Sequence, residues 1–304
     1  MSASIDIAAP AKVSPSNLPL VLFAGAVTTV LTLAGVYQLE LHGIAVMGWY
    51  AHYIVPAGAI CAGLLAGSGA GIACWKSGTR VTKTTLFATG ALMACAWAAA
   101  RYLEYKVAVA QYGDDPPSFL VFFDYYTRSI TFEEHGKVGS PVGFLGYGVR
   151  LLELAGFVAG GLVGPGIASA RRYCDECSRY MRSKRVSTLA IAGKPTLFGI
   201  GKMPAHEEEA LATDGQRWLE RVITAAAGSD AAALDYALGE HPYGAEAKRA
   251  LAAAGRVEVA VARCPGCGRG ELIISHFAGT TRKAKRVGQT VIPLAPGLVQ
   301  ALRS

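Results

Sequence analysis

IAVMGWYAHYIVPAGAICAGLLAGSGAGIACW, residues 44–75, runs for 32 residues without one charged side chain. A helix crossing a hydrocarbon core of about 30 Å needs about 20 mostly apolar residues, because its backbone polar groups must be satisfied inside the segment. This stretch supplies such a helix together with an interfacial lead around Trp49, Tyr50 and Tyr53. Working outward, Leu18–Leu39 is a second uncharged run; Thr84 to about Leu103, with Arg101 near its end, is a third candidate span, and Phe144–Ala170 a fourth with Arg150 and Glu153 near its entrance. The whole chain of 304 residues is 52% hydrophobic and 17% charged. That balance excludes disorder, collagen and a secreted disulfide scaffold, and it is too apolar for an ordinary soluble domain.

The first apolar run is longer than a signal-peptide core of roughly 7–15 residues, its leader carries one basic side chain (Lys12), and no convincing A-x-A site follows, so it reads as a retained span. Basic residues set the orientation. Lys76, Arg80 and Lys83 follow the second span, and Arg171, Arg172, Arg179, Arg182, Lys184 and Arg185 follow the fourth. Both groups belong in the cytoplasm, with both termini, and the setting is a bacterial-type inner membrane. The domain reading is a tail at 1–17, a four-helix transmembrane domain at 18–170 and a cytoplasmic domain at 171–304. An outer connector at 104–142 carries Phe119, Leu120, Phe122, Phe123, Tyr126 and Ile130 at helical spacing after Pro116-Pro117, the pattern of an interfacial helix.

Glycines recur every fourth residue at Gly63, Gly67 and Gly71 and again at Gly156, Gly160 and Gly164. Such faces let two helix backbones approach without intervening side chains, so the second and fourth spans are expected to pack together. Thr28, Thr29 and Thr32 lie mid-span in the first helix, and His52 and Pro56 begin the second. Arg101/Glu104 and Arg150/Glu153 are i,i+3 pairs, read as interfacial charges that snorkel and pair between neighbouring ends.

Charge divides the chain. Residues 1–170 hold nine Lys/Arg and nine Asp/Glu, whereas 171–304 hold twenty and thirteen, which accounts for the net +7. Cysteines divide similarly: Cys61, Cys74 and Cys95 stand singly among apolar residues, while Cys174-Asp175-Glu176-Cys177 and Cys264-Pro265-Gly266-Cys267 form two C-x-x-C pairs. Two residues between thiols let one tight turn offer both sulfurs to one ion, and two such turns complete a tetrahedral shell. Structural Zn2+ suits that donor set, with iron–sulfur and redox dithiols as the rival uses. Four thiolates leave no coordination position for a catalytic water. His206, His241 and His276 read as surface or packing residues.

With Gly268-Arg269-Gly270 after it, the second pair resembles the C-P-x-C-G knuckle of zinc ribbons. The resemblance covers the knuckles and adjoining strands and implies a structural metal, with no particular function. It departs from compact sites in spacing, since 86 residues separate Cys177 from Cys264 against about 15–20 in such sites. Strands are expected at Val186–Ala192, Arg256–Ala262 (Val257, Val259 and Val261 on one side) and Leu272–Phe277. An alanine-rich helical insertion at about 205–254 between the first two would let the knuckles reunite.

The fold class expected is therefore an α-helical polytopic membrane protein of four transmembrane helices, plus a cytoplasmic α+β zinc-ribbon-like domain with a helical insertion. Anionic lipid is the expected partner of Arg171, Arg172, Arg182, Lys184 and Arg185. A second basic group, Arg282, Lys283, Lys285 and Arg286, lacks the aromatic interleaving of a single-strand platform, so nucleic acid is not the expected partner. No Ser/His/Asp grouping, phosphate loop or open metal site argues for an enzyme. The leading function is an interaction or assembly module held at the membrane, with a protein partner and self-association through the glycine faces as accompanying expectations. The alternative is a small-solute transporter or membrane sensor that uses the helix bundle.

Overall fold

The computed structural model describes residues 17–52, 54–112, 117–131, 133–134, 137–192, 205–241, 255–279, 284–295, 298–299 and 302. The tail at 1–16, Tyr53, Pro116, the insertion from 242 to 254, and Arg282 and Lys283 lie outside them, as does the side chain of His206. Two compact units divide at Arg171/Arg172.

The first unit contains α1 (Leu18–Leu41), α2 (Ala57–Ser77), α3 (Lys83–Tyr112), α4 (Phe119–Arg128), a short strand pair β1 (Glu133–Glu134) and β2 (Lys137–Val138), and α5 (Gly146–Ser169). Four of these helices are long and apolar enough to cross a membrane. Their outward faces carry exposed Phe23, Leu31, Leu65, Phe87, Leu151 and Ile167. Such side chains around a bundle suit a lipid solvent, which has no hydration shell to order. Pro19 opens α1, where its missing N–H is not needed, and Gly78 closes α2 in the left-handed conformation (φ 65°), its N–H reaching the Cys74 carbonyl.

Two departures from the sequence reading concern boundaries. His52 is not in α2 but in an exposed turn with φ 52° before it, and Pro56 caps the helix from outside. Further along, α3 continues to Tyr112, nine residues beyond Leu103, so Arg101 and Glu104 lie within the helix and not at its end. The polar Lys106 and Gln111 made the sequence look finished, yet tertiary packing carries the helix on.

Glycine spacing does place α2 against α5. A Cβ on Gly63 would fall on the Phe157 carbonyl and one on Gly67 on the Gly161 carbonyl, while one on Gly71 would lie 2.8 Å from the Gly164 Cα. Pro165, inside α5, has no N–H to offer the Gly161 carbonyl. That carbonyl is the group against which Gly67 packs. Helix α1 joins α2 through Thr28, whose hydroxyl donates to the Ala66 carbonyl at 2.6 Å and accepts from the Gly69 N–H at 3.2 Å. In α4 the aromatic side chains cluster: Phe119 and Phe122 lie 5.7 and 5.4 Å from Tyr105 of α3. Tyr147 of α5 donates to Asp124 of α4.

The second unit starts with a short hairpin of β3 (Tyr173–Cys174) and β4 (Arg179–Tyr180). A four-stranded antiparallel sheet follows in the order β5 (Arg182–Ala192), β6 (Gly255–Arg263), β7 (Gly270–Ala278) and β8 (Lys285–Leu294). Helices α6 (Ala205–Ala227) and α7 (Ala231–Gly239) come between β5 and β6. Asp230 caps α7 by accepting the Ala233 N–H at 3.0 Å. Val257, Val259 and Val261 do share one side, packing with Leu272, Ile274 and Leu294 against Trp218, Val222 and Leu234 from the helices. Trp218 is anchored by its indole N–H, which donates to the Ala237 carbonyl at 2.7 Å. Strand β8 went unread in the sequence because its burial is mostly exposed and irregular, as befits an edge strand containing Gly288 and Pro293.

Candidate metal centre

Register explains how thiols 86 residues apart meet. Because β5 and β6 pair antiparallel from Arg182↔Arg263 to Ala192↔Gly255, the start of β5 lies beside the end of β6. The first knuckle closes the β3–β4 hairpin just before β5, and the second joins β6 to β7. Both therefore stand at one end of the sheet. The inserted helices leave from the opposite end, about 30 Å along the strands at roughly 3.3 Å per residue.

All four Sγ atoms of Cys174, Cys177, Cys264 and Cys267 lie within 4.8 Å of one another, and Cys174 to Cys267 is 3.8 Å. A tetrahedron with Zn–S bonds of about 2.3 Å has S···S edges of about 3.8 Å. A disulfide needs about 2.05 Å, so the cysteines stand as free thiols. The two knuckles share a backbone device: the residue after each second cysteine is left-handed, Ser178 with φ 49° and Gly268 with φ 73°. That residue reverses the chain just after the second sulfur and leads it into the returning strand. In the second knuckle the Cys264 N–H bonds the Arg269 carbonyl at 2.8 Å and the Gly268 N–H bonds the Cys264 carbonyl at 3.1 Å. Gly266 is needed for close approach, since a Cβ there would lie 3.0 Å from the Cys177 sulfur. Glu176 and Arg269 form an ion pair from one knuckle to the other.

Below the sulfurs, Met181, Ala262 and Ile273 form a small apolar cluster with Cys174 and Cys264. Cys264 is fully buried and Cys267 is exposed. The thiols are electrostatically unequal. Burial alone would raise Cys264, but N–H groups of Cys267 and Gly266 and the neighbouring thiols bring it down to about 7. A hydrogen bond with Cys267, together with desolvation, pushes Cys177 up to about 12, and burial raises Cys174. One thiol drawn toward thiolate by backbone donors, beside Cys174 and Cys177 that hold their protons, is chemistry ready to exchange protons for a cation.

His241 and His276 stand apart from the four-thiol group. His241 packs edge-on against Trp218 at 5.6 Å, and His276 lies mid-strand in β7. Nearby basic residues divide in two: Arg172 and Arg185 approach Glu271 and Glu258 at 3.8 and 3.3 Å, whereas Arg182 and Lys184 are exposed.

Sequence reasoning underestimated one group in the first unit. Arg101 and Glu104 of α3 and Arg150 and Glu153 of α5 do pair, but not as snorkelling interfacial charges: Arg101 and Glu153 are each 2% exposed. They alternate in a closed ring, with Arg101 to Glu104 at 2.7 Å, Arg101 to Glu153 at 3.8 Å, Arg150 to Glu153 at 2.8 Å and Arg150 to Glu104 at 3.8 Å. The Tyr50 hydroxyl donates to the Val149 carbonyl at 3.2 Å, and burial together with the nearby Glu153 and Glu104 carboxylates raises the Tyr50 and Tyr126 phenols. The repeated R-x-x-E was the available signal. Its closure into a ring depends on how the helices pack.

The first unit carries four candidate spans and supports a multi-pass membrane protein, and the second holds a zinc-ribbon-like module whose four cysteines are close enough to coordinate a metal ion. Comparison of the chain with protein-family models, with curated proteins and with solved structures finds no match.

Proposed function

We propose that this chain is a multi-pass protein of a bacterial-type inner membrane that presents a structural-zinc domain in the cytoplasm as an interaction or assembly module. The observation that carries the reading is the group of four thiols, from two hairpin turns, within 4.8 Å of one another. Cys174, Cys177, Cys264 and Cys267 would fill a tetrahedral zinc shell, so the ion would staple the end of the sheet and leave no position for a bound water. A role without catalysis follows from that saturation.

Topology rests on the basic residues. Lys76 and Arg80 after α2 and Arg171 after α5 mark the cytoplasmic side. Arg171 lies 5.1 Å over the ring of exposed Trp75, a pairing suited to a headgroup layer. Arg171, Arg182 and Lys184 are exposed, and a basic residue near an anionic membrane surface gains about 1 kcal/mol. Pull-down from solubilised membranes, comparing intact protein with Cys264→Ser and measuring bound zinc in both, tests the reading. About one zinc per chain, with zinc and partner lost together in the variant, is expected; undiminished partner recovery after confirmed metal loss would refute it.

A further inference from the structure

The ring of buried charges borders a cavity of about 420 Å³ whose lining also includes Glu40, Met47 and Tyr50. A second cavity, of about 560 Å³, shares Glu40, Glu104 and Tyr126 with the first and adds an apolar and aromatic wall from Val107, Phe122 and Tyr125. All of it lies within the helical unit, at the end away from Trp75 and Arg171.

Three side chains on this lining keep buried atoms without hydrogen-bond partners among the described residues: the single Nε of Arg150, two nitrogens of Arg101 and one oxygen of Glu40. Arg101 gives its Nη1 to Glu104 and Glu153, leaving Nε and Nη2 unused. Those two nitrogens form the side-on edge of the guanidinium, the fork that grips both oxygens of a carboxylate or phosphate. Glu40 holds its Oε2 buried and unpartnered. Its carboxylate is within Coulombic reach of Arg101, Arg150 and Glu104. In charge, Glu104 and Glu153 balance the two arginines, and Glu40 is one carboxylate in excess. An oxyanion alone would add negative charge beside Glu40, and a cation alone would leave the Arg101 fork unsatisfied. A molecule carrying both answers both groups.

We propose that this cavity binds a small zwitterion, its oxyanion on the Nε–Nη2 edge of Arg101 and its ammonium against Glu40, with an apolar portion along Val107, Phe122 and Tyr125. Free α-amino acids and ethanolamine phospholipids share that chemistry. Ionisable side chains at membrane depth that are desolvated and incompletely paired are where ligand recognition is expected, and a partly apolar pocket with a few convergent polar groups is its usual form.

The test uses the full chain in detergent, with binding read by calorimetry. The probes are L-phenylalanine, 3-phenylpropionate (the same molecule without its ammonium) and dihexanoyl phosphatidylethanolamine. Saturable one-to-one binding of phenylalanine assigns the site to free amino acids, and saturable binding of the lipid alone assigns it to a headgroup. Whichever zwitterion binds should weaken at least tenfold in Glu40→Gln. This variant touches no ion pair described here and should keep the wild-type elution volume and melting temperature. Arg101→Lys, which keeps the charge but removes the fork, should weaken it too. If phenylalanine is the ligand, 3-phenylpropionate should bind more weakly than phenylalanine to wild type and be insensitive to Glu40→Gln. No saturable binding of either zwitterion to folded wild type, or binding unchanged in Glu40→Gln, overturns the proposal.

Discussion

Loading the four-thiol centre with zinc at neutral pH must expel protons, and local electrostatics sets how many. In the metal-free protein Cys177, pushed up to about 12, and Cys174, also raised, hold their protons at pH 7, while Cys264, near 7, holds one about half of the time. These three thiols alone should therefore release about 2.5 protons per zinc bound at pH 7. The sign follows from competition: metal and protons seek the same sulfurs, so affinity falls as pH falls. Each thiol protonated in the free protein contributes a tenfold loss per pH unit. Between pH 8 and pH 6, Cys174 and Cys177 contribute about 10⁴ together and Cys264, which titrates within this window, about tenfold more, so these three thiols alone set a decrease of at least about 10⁵. Calorimetric titration of zinc into chelator-stripped full-length protein, in two buffers of different ionisation heat, counts the protons directly. A repeat at pH 6 and pH 8, with a competing chelator, gives the affinities. Release of fewer than one proton per zinc, or an affinity that stays flat across that range, would refute the account of unequal thiols gathered around one ion.

Two further outcomes concern the helical unit. Gly67→Val should destabilise the detergent-solubilised protein by about 1–3 kcal/mol, because the new side chain falls on the Gly161 carbonyl. Gly35→Val, where a Cβ meets nothing within 4 Å, should leave thermal unfolding unchanged, and equal effects would discount the backbone seam. Glu153→Leu takes from buried Arg150 its close partner at 2.8 Å and leaves one buried guanidinium in excess, which should cost about 3–5 kcal/mol. The double variant Arg150→Met/Glu153→Leu should be less impaired than that single variant in the same melting assay, since it restores neutrality.

Features that depend on near neighbours in the chain could be read directly. An uncharged run long enough to span, a glycine every fourth residue, and two thiols separated by two residues each carry their meaning within one or two turns of backbone. The position of the helical insertion was also legible, because two strand-like stretches, Val186–Ala192 and the valine-rich Arg256–Ala262, bracket it and an antiparallel pair closes the gap whatever its length. The charge ring and the cavity beside it were not, since Glu40, Tyr50, Arg101, Tyr126 and Glu153 on that lining come from five separate segments and only packing unites them. Strand β8 was missed for a different reason: an edge strand with most side chains in solvent shows no alternation of burial, and its glycine and proline read as loop. The left-handed Ser178 likewise gave no sign, because serine does not advertise a positive φ as Gly268 does.

Where carbonyls of one helix rest against glycines of another, as along α2 and α5, there is no layer of side chains to act as a bearing. The two helices behave as a single plank, and sliding or rolling one on the other would drive backbone into backbone. Any rearrangement of the spans has to take place at the plank's edges, against α1 or α3. On the α3 side the ion ring is the latch: α3 can shift relative to the plank only by parting Arg101 from Glu153 and Glu104 from Arg150.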